Sequence, residues 1–244
     1  PLFLNQWHLL NTSNTIADIN AEAAWAAGYT GAGVTIGVTE GGFQSSHPDL
    51  APHYVTEASQ GSGNSSHATS VAGVFGAVGD NGIGVSGLAY NCGISQQLLG
   101  GAAQNAAAFT FRNDLNDIKN DSWGPFDSGD FWDEYASSIE LAALQDCAML
   151  GRGGLGTMTC WAAGNGGSQD RVDYDPYTSS RYTFAIGAIG DQDREASYNE
   201  TGSSMLVVAH SSGNNRSITS TTTGSGYTNF FGGTSSASPL AAGA

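Results

Sequence analysis

The sequence predicts one α/β domain in three layers, a mostly parallel central sheet with helices on both faces. Two observations carry this. Short β-branched or apolar runs alternate with helical patterns along the chain. Those runs are nearly continuous in apolar residues, as strands buried on both faces are. No linker, repeat or low-complexity tract divides the 244 residues.

The elements follow in order. Residues 33–39 (GVTIGVT) form the first buried strand. Residues 67–77 form a helix, with Ser65 or Ser66 as its cap. A strand at 94–99 precedes an alanine-rich helix at 102–112. A short strand at 117–123 ends in a turn. Residues 133–150 form a long amphipathic helix, with Tyr135, Ile139, Ala142, Ala143, Asp146 and Leu150 near helical spacing. Strands at 157–163, 182–189 and 204–209 complete the sheet, and a last helix begins at Ser236. Residues 214–226, rich in Ser, Thr and Gly, read as a surface loop.

Acidic residues number 22 against 7 basic ones, a net charge of −15. Nucleic acid and anionic lipid both need a basic face, so neither is an expected partner. Charged residues make up 12% and apolar ones 40%, which excludes a disordered chain and suffices for a core. Glycine, at 35 residues, is about twice its ordinary share without a Gly-X-Y period. It signals tight turns and close backbone approaches. No apolar run nears ~18 residues, so no membrane insertion is predicted. The N-terminus lacks an initiator Met and a basic leader region, and the chain stops inside an apolar helix. The expectation is a domain truncated at its C-terminus and open to truncation at its N-terminus. Cys92, Cys147 and Cys160 form no C-x-x-C pair and read as buried small side chains. His8, His47, His53 and His210 show no partner pattern and read as surface or satisfied residues. Sequons at Asn11, Asn64, Asn120, Asn199 and Asn215 carry little weight where Ser and Thr abound.

Three segments stand out, because ligands of such sheets bind at the carboxyl ends of strands. Val38-Thr39-Glu40-Gly41-Gly42 places a carboxylate at a strand end. Ser65-Ser66-His67-Ala68-Thr69 brings a histidine into a helix. Gly232-Gly233-Thr234-Ser235-Ser236 puts a serine at a helix entrance. Each alone is an ordinary cap or strand end. Together they supply a carboxylate, a base and a nucleophile in the order acid, His, Ser.

In that order and with these flanks, the chain resembles the subtilisin superfamily of serine proteases. Within it, the chain is most similar to the kexin/furin branch of calcium-dependent proprotein convertases. The most specific pieces are Ser122-Trp123-Gly124-Pro125, Gly151-Arg152-Gly153-Gly154-Leu155-Gly156, Trp161-Ala162-Ala163-Gly164-Asn165-Gly166-Gly167, Asp175-Pro176-Tyr177-Thr178 and Pro239-Leu240-Ala241-Ala242-Gly243. The resemblance implies a subtilisin-like fold over residues 1–244. It makes Ser235 the nucleophile, His67 the general base, Glu40 the group orienting His67, and Asn165 the oxyanion donor. It places Asp127 and Asp175 in a pocket for a substrate Arg or Lys, with Tyr177, Ser122, Trp123 and Gly124 beside them. It assigns Asp127, Asp170 and Glu200 to one Ca²⁺, and Asp49 with Val78, Asn81, Ile83 and Val85 to a second.

Four departures bear on this. The family has Asp where Glu40 stands, and the extra methylene must be absorbed; misplacement by about 1 Å costs about a hundredfold in rate. On sequence alone, Glu40→Asp is expected to raise activity. Ala68 replaces a glycine after the histidine, and the segment between Leu50 and His67 is short, which trims the cleft wall. Gly41 and Asn64 stand where convertases carry acids for a second basic residue, so a dibasic demand is weaker; Asp130 or Asp133 could serve a more distant one. The resulting expectation is a calcium-stabilised serine endopeptidase cutting after Arg or Lys by way of an acyl-enzyme. Its partners are peptide or protein substrates, with a propeptide and a downstream β-rich domain outside the chain. Its place is secreted, extracellular or periplasmic. The rival is an inactive relative of the same fold that binds peptide or calcium; an esterase is a third reading.

Overall fold

Six parallel strands lie side by side in the order β2-β1-β3-β4-β5-β6 in the computed structural model, which describes residues 1–12, 18–130 and 135–244. They are β1 (Thr35–Glu40), β2 (Gly93–Leu98), β3 (Ile118–Asp121), β4 (Met158–Ala162), β5 (Phe184–Ile189) and β6 (Met205–His210). The helices are α1 (Ala21–Ala26), α2 (Ser66–Gly76), α3 (Ala102–Thr110), α4 (Ser138–Gly154) and α5 (Thr234–Gly243). An antiparallel hairpin, β7 (Ile218–Thr222) and β8 (Gly226–Phe231), precedes α5.

Side chains alternate across a strand, so the sheet separates two cores. In β4, Cys160 joins the larger core with Ile36, Val38, α2 and α5. Its neighbour Trp161 joins Phe109 of α3 and Ala143 and Leu144 of α4 on the other face. This is the three-layer arrangement the sequence predicts. The strand order reverses between β1 and β3, since β2 is built on one side of β1 and β3 on the other. Such a reversal opens a crevice at the carboxyl ends of those strands. Glu40 ends β1, Asp121 ends β3, and residues 163–165 follow β4.

The structure corrects four readings. α1 was not predicted. The long helix starts at Ser138 rather than 133; Tyr135 and Ala136 precede it, and residues 133–134 lie outside the described residues. Ser137 caps it, its hydroxyl accepting from the Glu140 amide while the Glu140 carboxylate accepts from the Ser137 amide. Helical dihedrals end at Leu150 as predicted, because Gly151, Arg152 and Gly153 leave the helical region. The predicted loop at 214–226 contains β7, whose Ser and Thr hydroxyls dock on α2: Ser220 donates to the Ser70 carbonyl and Thr221 to that of Thr69, both at 2.6 Å. His8 is fully buried, with neither ring nitrogen hydrogen-bonded among the described residues. The three cysteines are free and buried, as expected.

Candidate active site

Glu40 and His67 meet because the chain between them is folded tightly. Gly42 turns at φ 78°, and a Cβ there would strike the backbone of Gly63. The Ser65 amide donates to the Gly42 carbonyl at 2.8 Å, which brings the start of α2 beside the end of β1. Ser65 caps α2, its hydroxyl accepting from Ala68 at 3.2 Å, and His67 is the second helical residue. Glu40 Oε2 lies 2.7 Å from His67 Nδ1. The longer glutamate therefore reaches its histidine, against the displacement expected from its length.

The pair is asymmetric: the His67 side chain is 42% exposed and that of Glu40 only 7%. Burial raises the pKa of Glu40, whose hydrogen bond and attraction to His67 oppose the rise. Burial alone would lower His67; the hydrogen bond to Glu40 and its charge outweigh that, and the imidazole stands above its ordinary pKa. Phe231, at the end of β8, meets the His67 ring edge-on at 5.5 Å between centroids.

Ser235 is the second residue of α5, whose N-cap, Gly233, has φ 71°. Pro239 sits inside this helix and has no N–H, so it leaves the Ser235 carbonyl, four residues back, without a helical donor. The Ser122 hydroxyl fills that place at 3.1 Å, and the Ser235 hydroxyl donates back to the Ser122 carbonyl at 3.3 Å. Ser122 is held by Asn120, and Asn120 by Ser238 of α5, each at 2.8 Å. Among the described residues the Ser122 carbonyl is the one hydrogen-bond partner of the Ser235 hydroxyl. Asn165 Oδ1 accepts from the Thr234 amide at 2.9 Å, which leaves its NH₂ end as a donor. The first turn of α5 adds the positive end of a helix beside Ser235.

Ser235, Asn165, Ser122, Trp123, Gly124, Asp127, Asp175 and Glu200 line one cavity of about 160 Å³. Burial, then the charge of Asp127, pushes Asp175 up to about 7 against its backbone hydrogen bonds. Burial and the charges of Asp127, Asp170 and Asp175 push Glu200 to about 7 as well. These carboxyls need a positive partner to ionise fully. Tyr177 does not line the cavity, contrary to expectation. Its ring is buried flat on Trp161, 4.6 Å between centroids and 5° between planes, and its amide donates to Asp175 Oδ1 at 2.7 Å.

Asp127, Asp170 and Glu200 each bring a carboxylate oxygen within 4.8 Å of the others, Asp170 and Glu200 being buried. Each is aimed by backbone amides: Asn165 to Asp127, Gly129 and Arg171 to Asp170, Gly166 to Glu200. A Cβ at Gly164 would fall on the Glu200 carboxylate, so the glycine makes room for it. Convergent oxygens of this kind fit a hard cation such as calcium. The second set is also assembled but differently arranged. Asn81 turns its NH₂ to Asp49 Oδ1 at 2.6 Å, and the Val85 amide takes Asp49 Oδ2 at 2.9 Å. Asn81 Oδ1 accepts from the Ile83 amide at 3.0 Å, and the Val78 amide donates to the Asp49 carbonyl at 2.9 Å. Burial and the neighbouring Asp49 carboxylate push the Tyr227 phenol up to about 12. The hydrogen bonds of this set use the side chains of Asp49 and Asn81 and the amides of Val78, Ile83 and Val85; the carbonyls of those three residues, the ligands expected for calcium, take part in none of them.

Comparison with known proteins adds the following. A family model described as "Subtilase family" matches residues 31–244. Human neuroendocrine convertase 2 is 36% identical over 273 residues, covering all of this chain and 42% of that protein. Mouse proprotein convertase subtilisin/kexin type 7 is 37% identical over 269 residues, covering all of this chain and 35% of that protein. The chain thus spans less than half the length of these relatives. Among solved structures, a serine protease of Aeromonas sobria in complex with its chaperone superposes with a TM-score of 0.83 at 20% identity, covering 100% of this chain and 53% of that one. A protease of Pseudoalteromonas arctica gives 0.78 at 22%, covering 100% and 84%.

Proposed function

The chain belongs to the subtilase family, and on that premise we propose that it is a serine endopeptidase cutting peptide bonds after Arg or Lys. The observation that carries the specificity is the cavity in which Asp127, Asp175 and Glu200 share walls with Ser235. A guanidinium or ammonium entering it would restore the charge of acids that burial keeps partly protonated. The neutral convertase positions Gly41 and Asn64 support a weak demand for a second basic residue.

The steps in this reading are those of a serine protease. The Ser235 hydroxyl leaves the Ser122 carbonyl and gives its proton to His67 Nε2 as its oxygen attacks the scissile carbonyl carbon. Glu40, on Nδ1, fixes the tautomer and stabilises the imidazolium. The oxyanion is received by the Asn165 NH₂ and the Ser235 amide. Collapse breaks the C–N bond, and His67 passes its proton to the departing amine. Water then attacks the acyl-enzyme with His67 again as base and frees Ser235. Calcium held by Asp127, Asp170 and Glu200 would neutralise their mutual repulsion and fix the floor of the pocket. A second ion at Asp49 would have to turn the Asn81 amide over. A cleaved propeptide, a β-rich downstream domain and passage through a secretory route belong to the same proposal, as an extension of the resemblance to convertases.

A second reading, an inactive relative that binds peptide or calcium, draws on the bond of the Ser235 hydroxyl to Ser122 rather than to His67. A fluorophosphonate probe separates the two: the protease reading expects a covalent adduct on Ser235, absent in Ser235→Ala, and no adduct on the folded, calcium-supplied protein would refute it.

A further inference from the structure

Behind the wall of the pocket, a carboxylate with no basic partner among the described residues ties three segments together. Glu140, in the first turn of α4, is 4% exposed. Its Oε2 accepts from the amide of Ser137 at 2.9 Å and from its hydroxyl at 2.6 Å. Those bonds are what a helix cap requires. Its other oxygen does something more. Oε1 accepts from Asn105 of α3 at 2.8 Å and from the phenol of Tyr177 at 3.1 Å. Burial alone would raise the pKa of Glu140, but these donors outweigh it and hold the group ionised, below its ordinary value.

Tyr177 carries that constraint to the pocket. Its phenol is fixed by Glu140, its ring by the stack on Trp161, and its amide binds Asp175 Oδ1. The other oxygen, Oδ2, lies against Gly124 in the cavity wall, where a Cβ would come within 3.3 Å of it. The direction of the Asp175 carboxylate is thus set by an amide whose own residue is pinned by a buried anion. We propose that Glu140 is a positioning residue for specificity: by holding Tyr177, it aims Asp175 at the basic side chain of the substrate. The inference rests on the reading that Asp175 receives that side chain. A cap-only role for Glu140 would use Oε2 and leave the pocket indifferent to Tyr177.

The test compares two peptides, one with Arg before the cut and one with its neutral isostere citrulline, on the whole protein with calcium. Glu140→Gln keeps the shape but loses the charge, and Tyr177→Phe removes only the phenol. Each is expected to raise KM for the Arg peptide about tenfold, the size of one hydrogen bond to a charged group. The turnover number, the KM for the citrulline peptide and the rate of fluorophosphonate labelling should stay as in the parent. The double variant should be no worse than either single one, because both break the same link. Equal losses on both peptides, or an unchanged KM in Tyr177→Phe, overturn the proposal; should Glu140→Gln not fold, Tyr177→Phe decides alone. A parent that is neither labelled nor cleaves refutes the protease reading and this inference with it, whereas a parent that cleaves after Arg beside an unaltered Tyr177→Phe refutes only the inference.

Discussion

His67 works only when neutral, and its surroundings hold the proton more firmly than water does. Because Glu40 lifts its pKa above the ordinary 6.5, the protonated, inactive form persists to higher pH. The specificity constant is therefore expected to fall as pH drops through a value above 6.5, seen in a pH–rate profile. Glu40 itself reaches Nδ1 at 2.7 Å, so Glu40→Asp would pull the carboxylate back by about one bond length. Turnover should then fall, by about ten- to a hundredfold, rather than rise as the sequence suggests; steady-state kinetics of the variant check this. Glu40, His67 and Ser235 could be picked out as candidates because strand ends and helix entrances are marked by Gly and Ser, whereas the clustered acids could be picked out only through the family resemblance. Two residues were misread for physical reasons. Tyr177 follows Asp175 by two residues, but its ring prefers Trp161 to solvent. Glu140 had no flag at all, since its partners Asn105 and Tyr177 are distant in the chain.

At the scale of elements, the parallel strands and α2, α3 and α5 could be read to within a few residues from their apolar patterning; in the edge strand β6 that pattern marks the strand without burying it, since Leu206, Val207 and Val208 are exposed. The hairpin could not be read. β7 is made of Ile, Thr and Ser, which as composition reads as a loop; its hydroxyls are buried because they satisfy carbonyls of α2. α1, at six residues with no side-chain cap, leaves too short a pattern to see. The sole lysine shows the same limit. Lys119, 1% exposed in β3, donates to the carbonyls of Ala108, Phe109 and Phe111 at the end of α3, at 2.7, 2.7 and 3.1 Å. Its charge also suits the negative end of that helix. Burial pulls its pKa down to about 8, so it stays largely charged at neutral pH. Lys119→Met leaves those carbonyls without a donor and should destabilise the protein by about 3 kcal/mol, read as a lower denaturant midpoint.

For the whole molecule, the excess of acid acquires an address. Part of it converges on one cavity beside Ser235 and on the cluster beneath it, while much of the rest lies on the surface. None of the described helices is long and apolar enough to cross a membrane. Global stability has its own titration. Burial, with the positive neighbours His210 and Arg216, lowers His8 to about 3, so the fold accepts it only neutral. The unfolded chain binds that proton below about 6.5. The stability that a neutral His8 contributes is fully present above 6.5 and is lost progressively as pH falls towards 3. Melting curves at pH 4 and 7.5 should converge in His8→Phe relative to the parent. The central claim, that an acid-lined pocket delivers the bond after a basic residue to Ser235, is tested most directly by digesting an unbiased peptide library with the calcium-supplied protein and sequencing the cut ends. The account predicts cuts after Arg and Lys that vanish in Ser235→Ala; cuts after apolar residues, or none, would contradict it.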